Sequence, residues 1–284
     1  MVGGFSGLMG AIMVGPRKGR FVEAKDSAGN VIVHREHNKL LASLGVCILW
    51  FGWYGFNAGS TLMVSGGTSA VAAKVCVTTT LSAASAGLTC TIFSRVVYKN
   101  FDLMLSLNGV LAGLVSITAN CSVVDDWCAL IIGFIGAFVF MGASALLKKL
   151  KIDDPLDACP IHGFAGFWGC LCSGIFASDF NIANTYGNVN NAMSSGEQFG
   201  VQFVGALIIV AWTVVTSGAM FYAIKMTIGM RVPEFIEREG LDLSEHGGSA
   251  YSMVTLMGGD ASTNGEKVVK QVGEDKVTKV TTFA

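Results

Sequence analysis

Charge is what this sequence has least of. Only 14% of its residues are Asp, Glu, Lys or Arg, against roughly 25% in an ordinary soluble domain. A chain this poor in charge cannot cover a water-facing surface of its own size, so lipid is its solvent. The formal net charge of −1 removes any electrostatic reason to expect a nucleic-acid partner. A cleavable leader is not expected either. The apolar stretch 1–15 has no basic flank ahead of it, and Arg17, Lys18 and Arg20 follow it instead. A disulfide framework is also lacking, since the 8 Cys fall mostly inside apolar segments and read as small buried thiols. Basic residues are absent altogether from 178–197.

What is present in their place is apolar length. The composition is 52% hydrophobic with 36 Gly and a mean hydropathy of +0.57, which fits helices packed closely in a bilayer. A complete crossing needs about 20 apolar residues. Spans are expected at 1–15, 40–62, 68–97, 103–124, 127–147, 155–177 and 198–226, the first too short for a full crossing. With the first helix running outside to inside, every Lys and Arg of the 19 falls on the cytoplasmic side except Lys74, near the outer end of the third span. The expected fold is therefore an all-α polytopic membrane protein of about seven transmembrane helices, amino terminus out and carboxy terminus in.

The organisation expected is a membrane domain at 1–230, a cytoplasmic tail segment at 231–257 and a disordered tail at 258–284, where composition turns to Ser, Thr, Gly, Lys, Glu and Asp. Tail residues 234–246 are too polar for the bilayer, yet Phe235, Ile236, Leu241 and Leu243 need a surface to cover. Ser244 and Ser249 are candidate regulatory sites, because phosphate there would add about −1.5 to −2 charge beside acidic neighbours. A small hairpin is expected around Ala28-Gly29-Asn30.

Three features carry chemistry. Trp53-Tyr54-Gly55-Phe56-Asn57-Ala58-Gly59-Ser60 ends the second span near the outer surface. Aromatics there anchor helices at membrane interfaces in general, but the Gly spacing beside Asn57 and Ser60 also permits close helix approach while leaving polar groups to a solute. Asp153-Asp154-Pro155 starts the sixth span, with Asp154 suited to an N-cap, Pro155 to the first helical position and Asp157 to the third. His162 lies eight residues beyond Asp154, about 12 Å along a helix, which is close to the midplane. Ionisable groups at that depth line cavities or proton paths more often than they serve packing. Cys159, His162, Cys170 and Cys172 do not make a metal site, since Cys170 and Cys172 do not share a helical face. No metal, no cofactor and no enzymatic activity are expected.

These residues resemble the Amt/Mep/Rh family of ammonium transporters, most closely its Amt branch. Residues 53–60 resemble its W-F-G-F-N-A-G-S signature; Asp153-Asp154-Pro155 with His162-Gly163 and Gly166-Phe167-Trp168-Gly169 resembles D-D-P…H-G-x-x-G-x-W-G. Gly7 to Ala11 with Gly15-Pro16-Arg17 looks like the end of the family's fifth helix, and residues 238–247 like its cytoplasmic tail. The resemblance implies Phe56 as a gating phenylalanine, Ser60 as a hydroxyl of the outer ammonium site, Trp53 as an aromatic beside the pore and His162 as one of two paired pore histidines. It implies Asn57, Asp153 and Asp154 in structural roles, a fold of eleven helices related as inverted repeats, a homotrimer in the plasma membrane, and ammonium or ammonia as substrate. On this alignment the chain is the carboxy-terminal part, the second repeat plus the final helix, and the partner histidine falls immediately before Met1. Small-residue faces at 109–113 and 163–166 are expected to lack packing partners within the chain. A non-conducting homologue that assembles with full-length transporters as a regulatory subunit is the alternative.

Overall fold

A computed structural model describes residues 1–24, 31, 34, 38–187 and 195–247. The hairpin expected near Ala28, Ser249 and the 258–284 tail lie outside the described residues.

The membrane unit comprises Met1–Gly15 and Glu36–Gly229. Its helices are α1 (Val2–Val14), α2 (Lys39–Gly59), α3 (Thr68–Val97), α4 (Leu103–Thr118), α5 (Asp126–Lys149), a π-helical turn (Cys159–Phe164) continuing into α6 (Ala165–Phe176), α7 (Asp179–Tyr186) and α8 (Ser195–Thr227). Five stretches are long and apolar enough to cross a bilayer: α2, α3, α5, the π turn with α6, and α8; α1 and α4 are shorter. The chain is a multi-pass membrane protein. Local signals set the starts. Asn38 accepts from Leu41 N at 3.0 Å and Asp102 from Leu105 N at 3.1 Å, each satisfying an orphan amide of a first turn.

At the centre α3, α4 and α5 pack almost backbone to backbone. A methyl on Gly113 or Gly133 would collide with the Ser82 carbonyl, and one on Gly109 with Cys90. The glycines of 109–113 thus find their partners on α3 within this chain, correcting the expectation above. Those of 163–166 do likewise, with Gly163 against Gly4 and Phe5 of α1, and Gly166 against Met1 and Val115. Where backbones come this close, hydroxyls reach across: Ser82 Oγ donates to Gly113 O at 2.8 Å, Ser85 Oγ to Leu130 O at 2.7 Å and Thr78 Oγ1 to Cys121 O at 2.8 Å. Interhelical bonds of this kind contribute on average about 0.6 kcal/mol each in a membrane. Leu114, Ile117, Ile132, Phe140 and Ile161 fill the remaining space with less than 2% exposure.

Two boundaries differ from the sequence reading. The fourth span stops at Thr118 rather than 124, because residues 119–124 turn back. Asn120 secures that turn by donating to Ser116 O and Gly169 O at 3.1 and 2.8 Å. The sixth span starts at Cys159, not Pro155. Asp157 takes φ 51, which breaks the helical path, and its carboxylate accepts from Ser144 Oγ at 2.7 Å and Asn108 Nδ2 at 3.4 Å. Pro155 and Asp157 are therefore outside the helix instead of in its first turn.

The second unit comprises Pro16–Arg35 and the chain from Met230. Two short helices, α9 (Glu234–Glu239) and α10 (Leu241–His246), meet at Gly240 with φ 93. Arg231 grips Glu237 with two bonds of 2.7 and 2.6 Å and also donates to Pro16 O at 2.9 Å. Lys18 N donates to Glu237 Oε1 at 2.8 Å, and Lys18 Nζ lies 3.3 Å from Glu234. Ile236, between Phe235 and Glu237, is buried. The bonds from Arg231, then the amide of Lys18, hold the Glu237 carboxyl below its ordinary 4.5.

Candidate functional site

The end of α2 places the 53–60 motif on two faces. Asn57 points inward: it is 5% exposed and its Nδ2 donates to Thr79 Oγ1 at 3.0 Å. Phe56 and Ser60, one turn apart, share the opposite, open side, where Phe56 is 61% exposed. Trp53 lies between. Its indole N–H donates to Thr118 Oγ1 at 2.9 Å, its ring centroid is 5.8 Å from that of Phe56, and its body packs on the cluster holding Ile161 and Ala165. One tryptophan thus connects Phe56 to the segment that carries His162.

A cavity of about 400 Å³ opens beside Phe56, Asn57 and Ser60 and is completed by Thr61, Ser122 and Thr185 among others. Three of its hydroxyls share one property. Ser60 Oγ donates to Phe56 O at 2.5 Å, Thr61 Oγ1 to Ala58 O at 2.9 Å and Thr185 Oγ1 to Ser122 O at 3.2 Å. With their protons committed to backbone carbonyls, these oxygens have lone pairs left to offer a visitor. Asn57 Oδ1 adds a buried acceptor with no partner among the described residues. Oxygen acceptors beside an aromatic face suit a cation that donates hydrogen bonds.

The inner element is the π turn. His162 is half-buried on it, between Ile161, which is 2% exposed, and Gly163, which carries the close contact with α1. Single π turns inside helices recur at functional sites. Asp154 anchors the start, its Oδ2 accepting from Cys159 N at 2.7 Å, and the rings of Phe5 and Phe164 meet at 5.9 Å. Asp153 is 6% exposed in the same connection. The amino end of α1 packs one turn further along, since a methyl on Gly166 would stand 3.3 Å from Met1 N.

Three contributors escaped the sequence reading: Thr118, which fixes the Trp53 indole, and Thr185 and Tyr186 of α7, which wall the cavity. The segment 178–197 reads as an outer loop, although Ser178-Asp179 is an N-cap signal; Ser178 Oγ accepts from Asn181 N at 3.3 Å and starts α7. Nothing in composition marks the π turn. Ser244 lies in α10, its Oγ 3.5 Å from Leu241 O. Among the described residues, no three His, Cys, Asp or Glu side chains gather to hold a metal.

Long apolar helices beside a polar cavity define a polytopic helical membrane protein, and the start of the sixth span at Cys159 puts His162 near that end of the span instead of at the mid-depth expected from Asp154. Residues 1–251 match the Ammonium Transporter Family, and the chain belongs to that family. It is similar to ammonium transporter 1 member 1 of Arabidopsis thaliana, with 38% identity over 266 residues covering 88% of this chain and 52% of that protein. Among solved structures it resembles a sensor Amt protein, with a TM-score of 0.73 and 35% identity over 86% of this chain and 57% of that one. Candida albicans Mep2 matches with a TM-score of 0.70 and 28% identity, covering 81% and 50%. The chain spans about half the length of the curated relatives it matches.

Proposed function

We propose that this chain forms one wall of a transmembrane path for ammonium or ammonia, completed by a second wall of the same family fold. The observation that carries the reading is the set of acceptor lone pairs that Ser60, Thr61 and Thr185 offer in the cavity beside Phe56. Ammonium is all donor, and a bare cation entering a dry pore faces a Born cost of order 20 kcal/mol. An aromatic face returns up to about 2 kcal/mol of that, and oxygens replace part of the hydration shell. Ser60 accepts from the ion, Phe56 gates the way below it and Trp53 lines the descent. His162, with a reference pKa of about 6.5, is one of a histidine pair that handles the proton while neutral ammonia crosses. Asn57, Asp153 and Asp154 hold the frame.

In the same reading the amino terminus is outside, the tail is inside, the membrane is the plasma membrane and the assembly is a trimer. Residues 1–230 are the membrane domain and 231–257 a regulatory segment in which Ser244 and Ser249 accept phosphate. In a completed pore, His162→Ala is expected to lower or alter ammonium conduction in cells lacking their own transporters, with insertion retained; unchanged rate and ion selectivity would overturn the assignment. The second reading is a non-conducting subunit that assembles with full-length transporters. It predicts that co-expression changes a full-length transporter's uptake while His162→Ala in this chain changes nothing.

A further inference from the structure

Lys74 is the one basic residue that the charge distribution leaves on the outer side. It sits near the start of α3, between Val71 and Val75, which both line the cavity. Its ammonium donates to Asn181 Oδ1 on α7. Asn181 is 3% exposed, and its Nδ2 donates to Asp125 Oδ1 at 2.6 Å and Ser178 Oγ at 2.7 Å. One buried amide therefore joins α3, the α4–α5 connection and α7, with both its hydrogens and its oxygen engaged. The other ties of α7 named here, Ser178 N to Val123 O at 3.0 Å and Thr185 Oγ1 to Ser122 O at 3.2 Å, run to the α4–α5 connection. Lys74 supplies the tie to α3, the helix that forms the facing part of the cavity wall. The end of α7 brings Thr185 and Tyr186 to the cavity that Phe56 and Ser60 share.

We propose that Lys74 is a positioning residue: through Asn181 it fastens α7 against α3, fixes Thr185 and Tyr186 in the cavity wall and so sets how tightly a cationic hydrogen-bond donor is held at the outer site. The second half of this statement rests on the ammonium reading above; the first does not. A lysine suits the role because its flexible stem carries a strong donor to a buried acceptor, while Asp125 lies across the same amide to offset its charge. Removing the amine leaves Asn181 Oδ1 buried with a donor lost, which a network of this kind tolerates poorly.

The test has two arms. In nanodiscs containing this chain, Lys74→Met is expected to speed amide hydrogen exchange across 182–186 at least tenfold while the α3–α5 core stays protected, and Lys74→Arg to restore protection. In a conducting complex of the chain with its complementing half, Lys74→Met is expected to raise the apparent KM for ammonium several-fold with the maximal rate per surface molecule unchanged, and Lys74→Arg to reverse this. Should Lys74→Met lose core protection as well, Asn181→Ala is read by the same exchange measurement. Unchanged α7 exchange would overturn the proposal, as would a loosened α7 with unchanged KM. If the parent complex moves no ammonium, the transport reading falls and the exchange comparison alone decides whether Lys74 fastens α7.

Discussion

The centre of the bundle and its flanks are built on opposite terms. In α3 and α5, 50% and 44% of the most apolar window is buried within the chain, but in α2 and α8 only 11% is. The central helices achieve this with small residues: Gly109, Gly113 and Gly133 leave no room for a methyl, and Ser82 bonds across the gap. The flanking helices carry large side chains that touch little, such as Phe51 at 78% and Trp212 at 72% exposure. Lipid satisfies apolar side chains without helping helices to associate. The centre is therefore a finished folding unit, and α2 and α8 present surfaces that lipid or further protein covers. The proposed solute path lies at the border, where open Phe56 and Ser60 meet buried Asn57.

That contrast can be broken most severely at Gly133. Gly133→Leu should cost well over the 1–3 kcal/mol of ordinary overpacking, because the obstacle is the Ser82 backbone. Loss of the monodisperse peak in detergent chromatography checks it; a well-folded variant would show that the centre is not close-packed. A smaller effect is expected at the border. Ser60→Ala in a completed pore should weaken apparent ammonium affinity several-fold, as one charge-assisted hydrogen bond is lost, with uptake kinetics as the measurement. Trp212→Ala sharpens the comparison. It should leave the thermal stability of this chain nearly unchanged but destabilise a completed assembly measurably, if α8 is covered by protein there.

The smallest effect concerns the tail. Glu237 is held below its ordinary 4.5 by Arg231 and then by the Lys18 amide, so its contribution is complete above that ordinary value and is lost as pH falls through the lowered one. Arg231→Ala should move the Glu237 titration, followed by carboxyl NMR, upward, and should make 230–247 easier to cleave at neutral pH. A titration that stays in place would remove Arg231 from the clamp.

The sequence made the seven helices and the border motif legible because both depend on local patterns: apolar length, basic flanks, and an aromatic-glycine run beside Asn57 and Ser60. It did not disclose how the pieces meet. The glycines of 109–113 and 163–166 look unpartnered in one dimension, yet α3 and α1 cover them. The helical start expected at Pro155 moved to Cys159 because Asp157 takes a left-handed conformation and bonds Ser144 and Asn108, neither of which is a sequence neighbour. The π turn beneath His162 and the roof formed by α7 are likewise products of tertiary contact. Roles assigned to Phe56, Ser60, Trp53 and His162 came from family resemblance, while the acceptor lone pairs of Ser60, Thr61 and Thr185 required the hydroxyl orientations.

The central claim is that this chain supplies a wall and not a whole path. Its most direct test is growth on low ammonium of a host without its own ammonium transporters, carrying this 284-residue chain alone or with a complementing family half, surface expression being measured in parallel. The account predicts no rescue by the chain alone at normal surface level, rescue with the complement, and a rescue lowered or altered by His162→Ala. Robust growth with the chain alone would contradict it.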